Sequence, residues 1–342
     1  MGVKIRTSII FLGTAGDPFV VSRQLRASGG IILQIGDNQF HIDPGPGSLV
    51  MAKQCGVNLR ENTAVLVSNN KLYHSNDLNA VIDAMTYSGF DKKGVLISNK
   101  AVINGSEKSP ACLLPFYRDC LERFIVLEEG KRVGINDIEI VALKTSNLEK
   151  DTIGFKFITP LFTLSYSSDT KYSKQLIEEY KNSNILILNV SAPMKSDSGN
   201  ALCSEEAVKI IKEINPRLAI ITHFGIKMLE SDPLYEVREI QKQTGVQTIA
   251  AKDGLMINPV SYAATEGQRT LQPYPKTEEG GVGVKEFEKP EEEKPAEETA
   301  EQTKLEEEES AKEEVSEEDK PEEQKPEKDD SLKDIFLDQP KD

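Results

Sequence analysis

The sequence predicts an α/β fold with two sheets covered by helices, and three observations predict it. Short β-branched segments crowd the first half, a meander of strands with turn residues fills the middle, and the second half alternates helix with strand. A strand-rich opening followed by regular alternation suits two sheets that each bury one face under helices.

The elements follow in order. Residues 8–13 read as a buried strand ending in Gly13-Thr14-Ala15-Gly16, a turn whose two glycines are too little to specify a phosphate cradle. Residues 31–35 and 39–43 flank Gly36-Asp37-Asn38, a hairpin signature, and the second arm runs into the stiff loop Asp43-Pro44-Gly45-Pro46-Gly47. An apolar strand at 63–68 leads to a polar, irregular stretch at 69–76. Helical spacing then places Leu78, Val81, Ile82 and Met85 on one side of residues 77–86. Strand, polar loop and helix together frame a site. Residues 94–98 form another strand, and the meander comprises 132–133, 138–143, 154–158 and 162–166. The alternating close runs helix 171–180, strand 185–190, helix 204–214, strand 218–222, helix 233–243 and strand 247–250. No solenoid-type repeat is visible.

Charge divides the chain. Of its 56 acidic and 41 basic residues, 27 and 11 lie in residues 276–342, which therefore carry a net charge of −16 and leave +1 for the rest. Such a segment buries too little apolar surface to offset about 1 to 2 kcal/mol of ordering entropy per residue. Residues 1–265 are expected to form one domain and 266–342 a disordered acidic tail rich in Glu, Lys and Pro. Near its end Ser331 can cap a short helix at 331–337 that presents Leu332, Ile335 and Phe336 to a protein partner, or the cluster is incidental.

No leader-like segment and no run of 18 apolar residues occurs, so no membrane association is expected. Cys55, Cys112, Cys120 and Cys203 are scattered without zinc-type spacing and read as buried thiols of a reducing, cytoplasmic setting. A Gly-x-Ser-x-Gly elbow is missing, which leaves serine hydrolysis unsupported. The near-neutral core has no cluster of Lys and Arg beside aromatics, so nucleic-acid binding is unsupported too.

The chain has three histidines: His41, His74 and His223. His41 alternates with apolar neighbours in a hairpin strand and reads as structural. His74 lies in the polar loop, while His223 and Asp169 each follow a strand end, where α/β proteins commonly build sites.

The order Phe11-Leu12-Gly13-Thr14, Ile42-Asp43-Pro44-Gly45, Val67-Ser68 with its histidine-bearing loop, Ser168-Asp169-Thr170 and Ile221-Thr222-His223-Phe224-Gly225 resembles the metallo-β-lactamase-fold hydrolases. The likeness spans nearly all of residues 1–260. It implies a four-layer αββα sandwich and a metal-dependent hydrolase. In that family the loop reads His-x-His-x-Asp-His and helps hold two metal ions. Here Asn69, Lys71 and Tyr73 stand at the His, His and Asp positions, leaving His74 as the intact ligand, and a further family histidine near Asn200 or Ala201 is missing.

What the resemblance then implies is a second-site set of His74, Asp169 and His223, with Asp169 at the bridging position. Two alternatives follow. The three residues hold one zinc or similar divalent ion, giving a weak hydrolase of an ester or phosphodiester type bond. Alternatively, no metal binds and the Lys71 ammonium pairs with Asp169 in place of the cation, leaving the protein inactive. Asp169, Lys71 and Tyr73 are the candidate catalytic residues, acting on a small-molecule or ester-type substrate. A non-catalytic binding or scaffold protein, using the cleft and the tail, is the reading from another class. The alternative role for Asp169 is to cap a helix beginning near Lys171; Asp43 is explained equally by its turn; Tyr73 and Asn69 either line a pocket or fill volume.

Overall fold

The computed structural model describes residues 7–146, 152–196, 199 and 201–263. The tail at 266–342, its helix at 331–337 and Asn200 lie outside the described residues. The strands are β1 (Thr7–Gly13), β2 (Ser28–Ile35), β3 (Asn38–Ile42), β4 (Ala64–Val67), β5 (Val95–Ser98), β6 (Arg123–Val126), β7 (Arg132–Ile135), β8 (Ile138–Leu143), β9 (Gly154–Ile158), β10 (Thr163–Tyr166), β11 (Ile185–Ala192), β12 (Leu202–Cys203), β13 (Leu218–Thr222), β14 (Thr248–Ala250) and β15 (Met256–Ile257).

They form two sheets. The first has the order β15-β1-β2-β3-β4-β5-β6, and the second β14-β13-β11-β10-β9-β8-β7 with β12 beside β11. Each sheet joins an antiparallel meander to a parallel part: β3-β4-β5-β6 in one, β10-β11-β13-β14 in the other.

Period-2 alternation explains the layers. Ile9 and Phe11 of β1, with Ala64 and Leu66 of β4, meet Ile185 and Ile187 of β11 and Leu218 and Ile220 of β13 in a core between the sheets. Their neighbours face outward. Ile10, Leu12, Val65 and Val67 pack with Val81, Ile82 and Met85 of the helix Leu78–Thr86. Leu186, Leu188 and Ile221 pack with Ala207, Ile210 and Ile211 of the helix Ser204–Ile214 and with Ile240 of the helix Pro233–Thr244. Helix, sheet, sheet, helix is the four-layer αββα sandwich expected.

The differences are local. The helix expected from residue 171 starts at Lys174, because residues 167–173 carry the site loop. The strand expected at 132–133 runs on to Ile135, and the strand expected at 185–190 runs on to Ala192. Edge strand β6 went unrecognised, since its side chains are mostly exposed and show no clean alternation.

His41 on β3 is fully buried, and its Nε2 donates to the Gly29 carbonyl at 2.8 Å, as a structural histidine should. Burial pushes its pKa down to about 4. The unfolded chain therefore binds this proton first, near pH 6.5, and the stabilisation present above that value is lost as pH falls toward 4. A drop of about 3 kcal/mol attributable to His41 is expected by urea unfolding across that window, absent in His41→Gln.

Candidate functional site

The parallel strands of both sheets deliver their C-terminal ends to one place. Asp43 follows β3, Ser68 follows β4, Asp169 lies three residues beyond β10, and His223 follows β13. Asp43, Ser168 and His223 adopt left-handed backbone, with φ of 53°, 55° and 62°. Non-glycine residues held this way mark points where surrounding structure dictates the turn.

Asp43 does more than head its Pro-Gly turn. Its Oδ1 accepts from the Ser68 amide at 2.7 Å; its Oδ2 accepts from Ser68 Oγ and from the Tyr166 hydroxyl, each at 2.7 Å, and from His74 Nδ1 at 2.8 Å. A carboxylate behind a histidine fixes both its ring orientation and its tautomer.

His74, Asp169 and His223 converge, all buried, with one ligand-type atom of each within 4.8 Å of the others. His74 Nε2 lies 3.4 Å from Asp169 Oδ2, and His223 Nδ1 lies 3.4 Å from Asp169 Oδ1. The imidazoles stack with centroids 4.7 Å apart, and the Tyr73 ring leans on both, at 4.9 and 5.3 Å. Lys71 Nζ also reaches Asp169 Oδ2, at 3.0 Å, and Asn189 Nδ2 donates to Asp169 Oδ1 at 3.2 Å. The convergence and the lysine pair, set out above as alternatives, thus coexist. Asn69 is buried, its Oδ1 accepting the Lys71 amide at 3.0 Å, so it shapes the loop; Tyr73 borders the cleft.

The capping role considered for Asp169 fails. The helix Lys174–Tyr180 has Ser173 at its cap position, four residues beyond Asp169, whose oxygens are directed at the site.

Electrostatics follow from this crowding. Burial pushes His74 down, but Asp43 and Asp169 outweigh it and raise its pKa to about 9. Burial would raise Asp169, yet His223, His74 and Lys71 hold it well below the usual carboxylate range. His223 is dominated by burial, which lowers it to about 4 against the pull of Asp169. At neutral pH a cationic His74 and Lys71 therefore face the carboxylates Asp43 and Asp169 beside a neutral His223.

A divalent ion fits these residues. His74 Nε2 and both ring nitrogens of His223 are buried without hydrogen-bond partners among the described residues. Such orphaned atoms are costly unless something satisfies them. Two donors at about 2.0 to 2.1 Å from a tetrahedral ion stand roughly 3.4 Å apart, and each histidine lies that far from one Asp169 oxygen, His74 from Oδ2 and His223 from Oδ1.

The site opens into a cleft of about 300 Å³, bordered by Lys71, Tyr73 and Asp169 on one side and by Gly225 and Ile226 on the other. Gly16 brings these walls together: a Cβ there would stand 1.9 Å from the His223 carbonyl oxygen. The absence of a side chain at Gly16 is thus what this close approach requires. Sequence reasoning missed Tyr166, Asn189 and Ser68 as partners of the site. The signal for Asn189 was present, as one amide inside the apolar run of β11.

A family model described as the beta-lactamase superfamily domain matches residues 38–224, which include Asp43, His74, Asp169 and His223. The chain belongs to the beta-lactamase superfamily. An uncharacterized protein of Methanocaldococcus jannaschii, MJ1374, is 30% identical over 255 residues, covering 74% of this chain and 95% of that protein. Among solved structures, the metallo-beta-lactamase fold protein YhfI from Bacillus subtilis superposes with a TM-score of 0.63 at 20% identity, covering 74% of this chain and 99% of that one. A diphosphatase of the PhnP family gives 0.56 at 14% identity, over 74% of this chain and 97% of that one. Zn(2+)-bound PqqB from Methylobacterium extorquens gives 0.55 at 13%, over 73% of this chain and 99% of that one. These structures share the superfamily fold with this chain. Among the described residues no helix is long and apolar enough to cross a membrane.

Proposed function

We propose that this beta-lactamase-superfamily chain is a one-ion variant of the superfamily's metal-dependent hydrolases, acting on an ester or phosphodiester type bond. His74, Asp169 and His223 hold a single zinc or similar divalent ion, and the Lys71 ammonium stands where a second cation's charge would lie. One observation carries this reading: buried imidazole nitrogens without hydrogen-bond partners, gathered around one carboxylate.

When bound, the ion supplies Lewis-acid polarisation and a more acidic water. The protein's own residues prepare the rest. Asp43 sets the His74 ring through Nδ1, while Asn189 and Lys71 hold the two oxygens of Asp169. Lys71 places a fixed positive charge at the cleft floor, where negative charge develops on a substrate oxygen. Tyr73 backs both imidazoles and keeps them from turning.

A specific observation favours a second reading, a non-catalytic binding or scaffold protein. With His74 protonated, two cations already pair with two carboxylates: Lys71 with Asp169, and His74 with Asp43. Metal analysis of the full chain purified without chelators separates the two. About one ion per chain, lost in His223→Ala, is the expected result, with turnover in a panel of phosphodiesters, thioesters and lactams. A folded protein with no ion and no turnover would establish the scaffold reading. The tail at 266–342 is then its route to a protein partner.

A further inference from the structure

The walls of the cleft are apolar where they leave the site. Phe19 stands at its mouth, 63% exposed although it is a large aromatic side chain, with Tyr73, Ala192, Ala201 and Ile226 behind it. An exposed aromatic over an apolar concave wall is a recognition surface for an apolar ligand.

The charges along the same wall are mostly committed. Asp17 accepts from the backbone amides of Val20 at 2.7 Å and Ile226 at 2.8 Å, and Lys71 is bonded to Asp169 at 3.0 Å. Lys227 is different. It is exposed at the rim, and its ammonium has no ion-pair or hydrogen-bond partner among the described residues. One available cation beside an apolar wall suits a ligand with one negative charge and an aryl or acyl arm. It suits a polyanion poorly, because the carboxylates of Asp17 and Asp169 also border the cleft.

We infer that this cleft recognises an amphipathic monoanion, its apolar arm against Phe19 and Tyr73 and its charge at Lys227. The inference rests on the reading that the cleft is the substrate side of the site, and it narrows the ester-type substrate to that class. Neither Phe19 nor Lys227 touches the ion-binding triad, so the two ideas can fail separately.

The probe is 1-anilinonaphthalene-8-sulfonate, which carries one sulfonate on an aryl frame, with N-phenyl-1-naphthylamine as its uncharged counterpart. Both are titrated by fluorescence into the full chain, with and without chelator, and ion content is measured on the same samples. Phe19→Ala is expected to weaken both probes about tenfold, the scale of a lost aromatic contact. Lys227→Gln is expected to weaken the sulfonate about threefold and to leave the uncharged probe unchanged. Insensitivity of the sulfonate to Phe19→Ala would overturn the proposal by placing the probe on another apolar patch. Displacement by inorganic phosphate or ATP as readily as by a fatty-acid anion would overturn it too, by marking a polyanion site. Phe19-dependent binding in a chain that holds no ion although purified without chelator would sink the one-ion hydrolase and leave this recognition intact.

Discussion

Asp43→Ala is expected to destabilise the protein by about 3 to 5 kcal/mol, measured by urea unfolding in the presence of chelator. The Asp43 carboxylate is buried and accepts from the Ser68 amide, Ser68 Oγ, Tyr166 and His74. Alanine leaves four buried donors unmet, one of them a charged imidazole. It also puts a residue without a polar side chain into a left-handed conformation at φ 53°. Asp43→Asn keeps volume and backbone preference but turns one accepting oxygen into a donor, so it should fall between. Equal stability of Asp43→Ala and wild type would show that the cluster does not organise the strand ends.

Asp169→Asn should act on two properties at once. On the one-ion proposal, ion content should fall from about one per chain to none, because a neutral amide replaces the carboxylate of the His74, Asp169 and His223 cluster. The ion-free protein should also lose about 3 kcal/mol, since Lys71 would lose its carboxylate partner at 3.0 Å and a protonated His74 would keep Asp43 alone of its two. The amide can still accept from Asn189, so a loss near this size reports charge and not a missing hydrogen bond. Lys71→Met in the same background should restore part of the stability by removing the ammonium whose carboxylate partner is gone. Unchanged stability of Asp169→Asn would remove the electrostatic account of the site.

The layers were legible because each element announces itself within a short segment. Residues 185–190 and 218–222 are short apolar runs buried on both faces, and 204–214 carries a helical period in Ala207, Ile210 and Ile211. Strand β6 was not legible, since Phe124 and Val126 are exposed and Arg123 lies beside them. At the site, His74, Asp169 and His223 were picked out by order and family likeness; Asp169 and His223 stand just beyond strands, and His74 lies in the short helix Leu72–Ser75 of the segment after β4. The partners of Asp43 were not. Tyr166 lies 123 residues away from it along the chain, and no local pattern announces a contact fixed by how two sheets stack. Lys71 illustrates the same limit: its type suggested a surrogate charge, but only the folded loop decides whether its ammonium coexists with converging imidazoles or displaces them.

The hollow is cornered by the main chain. Its bends at Asp43, Ser168 and His223 come from strand ends in both sheets, and none belongs to the loop at residues 69–74. The loop at residues 69–74 is fitted between those corners from within: buried Asn69 accepts from the Lys71 amide, and Lys71 reaches across to Asp169, so the loop carries the charge of the hollow while the strand ends carry its shape.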